Sequence, residues 1–280
     1  MADRMGRYVT DAGYAVAVVR APATLQVIGR DQHALADGPM AVLGEAILGS
    51  LLLATRLKGP GLLSLTMHTE GVFNHLRCDA IGLGSVRAMV LPTTSERLQA
   101  WNGVDALLGP GMLTVSRQLR DEDQPYQSKL LIGDDRPARI CNDYLVASEQ
   151  VPAAIGVDLA IDGDAITATA LYLERLPGGE EEHPLMQHLL QLRDAPDDLA
   201  KHRHDDDLAL LHALCPEATF RELHAYDVGF HCPCSRERYV ANLRNFSKEQ
   251  LSELTNGAGV IETVCDFCRS RYAIPLDDVI

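Results

Sequence analysis

Two close pairs of cysteines, Cys232-Pro233-Cys234 and Cys265-Asp266-Phe267-Cys268, constrain this chain more than any other feature. Cysteines separated by one or two residues can present their sulfurs to adjacent corners of a tetrahedron, about 2.3 Å from a zinc ion. Together the pairs supply a full tetrathiolate set for Zn2+, with Cys232, Cys234, Cys265 and Cys268 as the metal ligands. The same closeness gives each pair a disulfide option once a metal leaves, because the partner thiol is already at hand. The stretch 229–280 is too short to bury much core of its own. A zinc ion contributing on the order of 10–16 kcal/mol would act as that core.

At roughly 100–200 residues per domain, a chain of 280 residues has room for one large domain and one small one. Its longest apolar stretch, Ala41 to Ala54, is interrupted by Glu45 and falls short of the roughly 18 residues of a membrane span, so no membrane partner is expected. Met1 to Arg20 carries Asp3, Asp11 and Arg20 around a short Val-rich run and does not read as a secretory signal, which makes the cytoplasm the expected compartment. Thiols there are kept reduced, so paired cysteines point to metal binding or redox switching rather than structural disulfides. The net charge of −14 argues against nucleic acid as a partner, since that affinity comes largely from neutralising phosphates. Residues 229–280 balance six Lys or Arg against seven Asp or Glu, without the basic face of an RNA-binding module.

The patterning along the chain predicts an α+β fold: an N-terminal domain of mainly antiparallel sheet with packed helices over 1–176, a helical linker over 177–228, and a small C-terminal zinc-binding domain over 229–280. Gly13 to Arg20 reads as a strand, and Pro39 to Lys58 as a buried helix with Val42, Ala46, Ile47, Leu51 and Ala54 at helical spacing. Leu62 to His68, Val72 to Ala80 and Ser85 to Leu91 read as a meander, followed by a hairpin of Met112 to Gln118 with Gln127 to Ile132. A helix is expected over Arg136 to Glu149, then a second hairpin turning at Asp162-Gly163-Asp164. From Pro177 the chain becomes acidic and proline-broken, with short helices at Leu185 to Leu192 and Leu208 to Leu214 that are marginal unless docked. In the last region Ser247 to Gln250 forms a capping-box helix start, and Val260 to Val264 leads as a strand into the second cysteine pair.

Other constellations compete for attention. His202-Arg203-His204-Asp205-Asp206-Asp207 could bind a metal, although acidic stretches of this kind usually face water. His231 could replace one thiol, but four sulfurs already complete the site. Cys265 to Cys268 alone resembles a thioredoxin-type motif, which belongs after a strand in a βαβ unit that this region lacks. Arg236, Arg238, Arg269 and Arg271 are placed to offset the charge of a zinc tetrathiolate, or else form a solvated face. Cys78, Cys141 and Cys215 read as small core residues.

The run Cys-Pro-Cys-Ser-Arg-Glu-Arg followed about 30 residues later by Cys-Asp-Phe-Cys resembles the heat-shock protein 33 family of redox-regulated holdase chaperones. Asp143-Tyr144-Leu145 to Ser148-Glu149-Gln150-Val151-Pro152, and Gly59-Pro60-Gly61 before a strand series, extend the resemblance over essentially the whole chain. The resemblance implies an ATP-independent chaperone, not an enzyme and without catalytic residues, that is inactive while reduced and zinc-bound. It implies that oxidation pairs Cys265 with Cys268 and Cys232 with Cys234, releases zinc, unfolds the linker and exposes a surface for unfolding client proteins, with a homodimer as the activated form. A CxxC disulfide closes a larger, less strained ring than a CxC disulfide, so the distal pair is expected to oxidise first. The competing reading is a static zinc-binding interaction module, which should keep its metal at oxidant levels that empty a switch.

Overall fold

The computed structural model describes residues 3–82, 84–92, 98, 107–133, 136–194 and 197–279. The chain divides into two compact units, Met1–Phe230 and His231–Ile280. The fold is α+β with antiparallel sheets and packed helices, as the patterning predicts.

The first unit holds two sheets. One contains β1 (Arg4–Thr10), β2 (Tyr14–Arg20), β8 (Ala153–Asp162), β9 (Ala165–Arg175) and β10 (Phe220–Asp227), in the order β10-β1-β2-β9-β8. The other contains β3 (Gly61–Thr69), β4 (Phe73–Ile81), β5 (Ser85–Pro92), β6 (Gly111–Leu119), β7 (Tyr126–Ile132) and the short β11 (Gly229–Phe230), in the order β11-β5-β4-β3-β6-β7. All pairings are antiparallel except that of β11 with β5. The hairpin between β8 and β9 turns at Gly163, whose φ of +58° explains why glycine follows Asp162 there.

After the short α1 (Pro22–Leu25), a long helix, α2 (Asp37–Ala54), packs against strands of both sheets and forms the centre of the main core. It is long and apolar enough to cross a membrane by composition alone, yet most of it is buried inside this unit. Its one buried acid, Glu45, accepts a hydrogen bond from Arg136 Nε at 2.7 Å and one from the Ala138 amide at 3.3 Å. Arg136 itself precedes α3 (Pro137–Tyr144), which continues in π-helical geometry over Leu145–Glu149, so the helix expected over Arg136 to Glu149 changes pitch near its end. Gln150 closes it with a left-handed backbone, φ +53°.

The five-stranded sheet is apolar on both faces. Alternate residues of a strand point to opposite sides, so Ala17 and Val19 of β2 enter the main core while Tyr14, Val16 and Val18 enter a second one. Likewise β9 sends Ala168, Ala170 and Tyr172 to the first core and Leu171 and Leu173 to the second. The acidic, proline-broken segment covers that second face. Its helices α4 (Pro184–Asp194), α5 (Asp197–Lys201) and α6 (Asp207–Leu214) bury Leu185, Leu189, Leu192, Leu199, Leu210 and Leu211 there. The segment ends in β10, which extends the same sheet by pairing with β1 from Thr10↔Phe220 to Arg4↔Asp227. Neither β1 nor β10 follows from the sequence patterning.

The acidic run expected to face water is partly buried. Asp207 is only 4% exposed and accepts hydrogen bonds from Tyr8 Oη at 3.1 Å and Arg20 Nε at 3.0 Å, with Arg4 Nη2 at 3.4 Å. Arg203 forms a two-pronged pair with Asp158 of β8, at 3.1 and 2.9 Å. His202 contacts Asp205 at 2.8 Å. Arg203 and Asp207 thus fasten the segment to the sheet, while His202 and Asp205 close its own turn and Asp206 caps the helix that follows.

Candidate metal centre

The second unit is built around two loops that carry the cysteines. Cys265 ends a hairpin arm, β12 (Val260–Val264), and Ser270 precedes the other, β13 (Arg271–Pro275). The Cys265 amide donates to Ser270 O at 2.9 Å, and the Arg269 amide donates to Cys265 O at 2.8 Å. These bonds curl the loop into a knuckle, and Arg269 adopts φ +59° to close it. A non-glycine residue there costs on the order of 1 kcal/mol, which the fixed positions of Cys265 and Cys268 must offset.

Cys232-Pro233-Cys234 lies in the segment before α7 (Arg236–Leu243). Ser235 caps that helix through the Arg238 amide, and Arg238 Nη1 reaches back to Pro233 O at 2.9 Å, so the helix start fixes the CxC loop. The capping box predicted at Ser247 and Gln250 is present and opens α8 (Lys248–Leu254). Only a small apolar cluster supports these elements: Val240, Leu251, Ile261, Ile274 and Val279, with Tyr239 and Tyr272 packed against it.

The two loops bring all four predicted ligands together. The sulfurs of Cys232, Cys234, Cys265 and Cys268 lie within 4.8 Å of one another, the one group among the described residues with metal-binding geometry. The pairs face each other crosswise, Cys232 Sγ 3.7 Å from Cys265 Sγ and Cys234 Sγ 3.2 Å from Cys268 Sγ. Sulfurs at the corners of a zinc tetrahedron with 2.3 Å bonds are about 3.8 Å apart, so these sulfurs need move only slightly to fit a tetrahedral ion. Four soft thiolates suit zinc or another thiophilic metal far better than magnesium or calcium. His231 is exposed and outside the group.

Two polar neighbours of the sulfurs do not stand out in the sequence. Tyr272 Oη is 3.1 Å from Cys234 Sγ, and Ser270 Oγ is 3.2 Å from Cys268 Sγ. Both fall within four residues of the second pair, which is the one signal that could have flagged them. Three of the four arginines have partners of their own apart from the sulfurs. Arg236 pairs with Asp278, Arg269 lies 3.8 Å from Asp266, and Arg238 holds Pro233 O.

The thiols differ in acidity. Burial pushes Cys234 up to about 12, with Cys268, Cys232 and Cys265 adding to the rise against a hydrogen bond from Tyr272. For Cys268, burial also raises the value, but the Ser270 hydroxyl and amide and the thiols of Cys234 and Cys265 outweigh it and bring it down to about 7. The hydrogen bond to Cys234, with burial, pushes Tyr272 up to about 12. The remaining cysteines are core residues. Cys78 and Cys141 lie in the main core and Cys215 in the second, with each thiol raised chiefly by burial.

Comparison with known proteins agrees with this architecture. The family model described as "Hsp33 protein" matches residues 3–275. A 33 kDa chaperonin of Levilactobacillus brevis is 26% identical over all of this chain and 97% of its own length. One from Lactobacillus delbrueckii subsp. bulgaricus is 30% identical over 86% of this chain and 84% of its own. The crystal structure of a 33 kDa chaperonin, a heat shock protein 33 homolog from Thermotoga maritima, superposes with a TM-score of 0.83, covering 100% of this chain and 97% of that one at 21% identity, which establishes the shared fold. The chain therefore belongs to the Hsp33 protein family, a family of chaperonins rather than of enzymes.

Proposed function

We propose that this chain is an ATP-independent holdase that binds unfolding proteins under oxidative stress and is held inactive, while reduced, by Zn2+ on Cys232, Cys234, Cys265 and Cys268. The working division is a chaperone domain over 1–176, a metastable linker over 177–228 and a redox switch over 229–280, acting in the cytoplasm. The observation that carries the reading is the second core: an apolar sheet face of Tyr14, Val16, Val18, Leu171 and Leu173 covered by short helices of the acidic segment. Helices of five to eleven residues have little stability without docking. Their release would bare that face and the leucines that cover it, a surface suited to unfolded chains.

Cys265 and Cys268 are the first to react. Two thiols give two electrons to one peroxide, an S–S bond forms, and two water molecules leave. With two of its four sulfurs lost the site would no longer hold Zn2+, and a second peroxide would take two electrons from the Cys232 and Cys234 thiols as their S–S bond forms and two more waters leave. A unit whose core is five buried side chains does not stay folded without its metal. Only the two-residue strand β11 and His231 separate the linker from Cys232. Unfolding therefore propagates to the end of the segment, and the oxidised chain dimerises. The test is a Cys265→Ser, Cys268→Ser variant in a light-scattering assay of a heat-denatured client. It should lose zinc and suppress aggregation without oxidant, and a variant as inactive as the reduced wild type would sink the reading.

A further inference from the structure

The strand β10, which ends the acidic segment, is held on the sheet mainly by its backbone. Six of its eight residues are exposed, and only Phe220 and Tyr226 pack, each partly, against a core. Its pairing with β1 is also interrupted. Tyr8 faces Glu222 and Arg7 faces His224, so Leu223 is an extra residue in a bulge and is 40% exposed. A bulge leaves one residue unpaired and disrupts the ladder around it. β1, by contrast, is fixed independently of β10. Met5 enters the main core and Tyr8 the second, and the register with β2 runs unbroken from Arg4↔Arg20 to Val9↔Ala15.

While the segment is docked, β10 is the outer strand of the sheet, and its bulge and its exposed Arg221, Glu222 and Asp227 make a poor edge for any further strand. Once the segment leaves, β1 becomes the outer strand. It then presents a row of unpaired amides and carbonyls beside the apolar face of Tyr14, Val16 and Val18. β10 shows what that edge accepts: an extended chain whose side chains scarcely touch the fold. We propose that β1 holds client by strand addition, with an extended segment of an unfolded polypeptide taking the place of β10 and laying alternate apolar side chains on the bared face. Main-chain pairing supplies attraction without regard to sequence, and the alternation asks only for an apolar residue at every second position. Strand addition at β1 rests on the function proposed above and adds to it where the client sits and why the closed chain takes none.

The test is hydrogen exchange resolved to single amides over Arg4–Thr10 in the full chain, first reduced and zinc-loaded, then oxidised, then oxidised and saturated with reduced, carboxymethylated lactalbumin, which cannot refold. In an antiparallel sheet alternate amides of β1 point to β10 and the others to β2. Oxidation should speed the first set and leave the second protected, and client should slow the first set again by about tenfold. Client held while the first set stays fast would overturn strand addition and leave the proposed function standing, whereas an oxidised chain that holds no client would overturn both. Protection regained without client, and rising with protein concentration, would give the edge to a second copy of the chain and overturn the proposal.

Discussion

Cys234 Sγ sits 3.2 Å from Cys268 Sγ, closer than Cys232 Sγ lies to Cys265 Sγ. Each cysteine of one loop is thus matched with a cysteine of the other, and the sulfurs meet beside a small apolar cluster that joins α7 to the hairpin of the knuckle. Chelation should show which of the two the unit depends on. Stripping the metal from reduced protein is expected to collapse amide dispersion in an NMR spectrum for residues 231–280, while β-sheet signals from the first unit persist. A second unit that keeps its dispersed spectrum without metal would show that its five-residue core suffices.

The Tyr272 hydroxyl contacts Cys234 from outside the four-cysteine cluster. Neighbours that hydrogen-bond a metal ligand commonly change affinity by 10–100-fold when removed. Tyr272→Phe keeps the ring packed against the small core and should weaken zinc binding by on the order of tenfold. Competition with a chromogenic chelator measures this directly, and unchanged affinity would assign Tyr272 to packing alone.

Asp207 fastens the acidic segment to the sheet by accepting from Tyr8 and Arg20 and lying near Arg4. Removing one member of a buried pair leaves its partner's charge uncompensated, at a cost of about 3–5 kcal/mol. Asp207→Ala should therefore loosen α4 to α6 while zinc stays bound. Hydrogen exchange or limited proteolysis over 184–214 reads this out, with zinc content as the control. Protection equal to wild type would mean that the leucines of the second core hold the segment unaided.

Ser247 opens α8 with a reciprocal cap to Gln250. Ser247→Ala should cost about 1 kcal/mol. The expected result is a lower melting temperature for the second unit with zinc stoichiometry unchanged, measured by calorimetry.

Much of this was legible in the residues, for identifiable reasons. The clustering of the four cysteines could be read because thiol spacing is a local property, and the hairpin at Gly163 because its turn needs positive φ. The strand Phe220–Asp227 was not legible. It lies at the sheet edge with nearly every residue partly or fully exposed, so it shows no alternation of apolar residues, and its pairing with Arg4–Thr10 spans the whole first unit. Asp207 was equally hidden. Within a run of three acids nothing local distinguishes the one that meets Arg20, since that contact depends on how α6 packs on a distant strand. The change of pitch after Tyr144 was also missed, because Leu145 to Glu149 retains ordinary helix-forming composition.

The central claim is that metal retention at the four sulfurs holds the acidic segment on the sheet. It is tested most directly by adding peroxide stepwise at elevated temperature to reduced, zinc-loaded protein, while following zinc release with a chromogenic chelator and hydrogen exchange over 177–228 in the same samples. The account predicts that both rise together, with the Cys265–Cys268 disulfide found first by mass spectrometry. Loss of zinc with the segment still fully protected, or exposure of the segment with zinc retained, would contradict it.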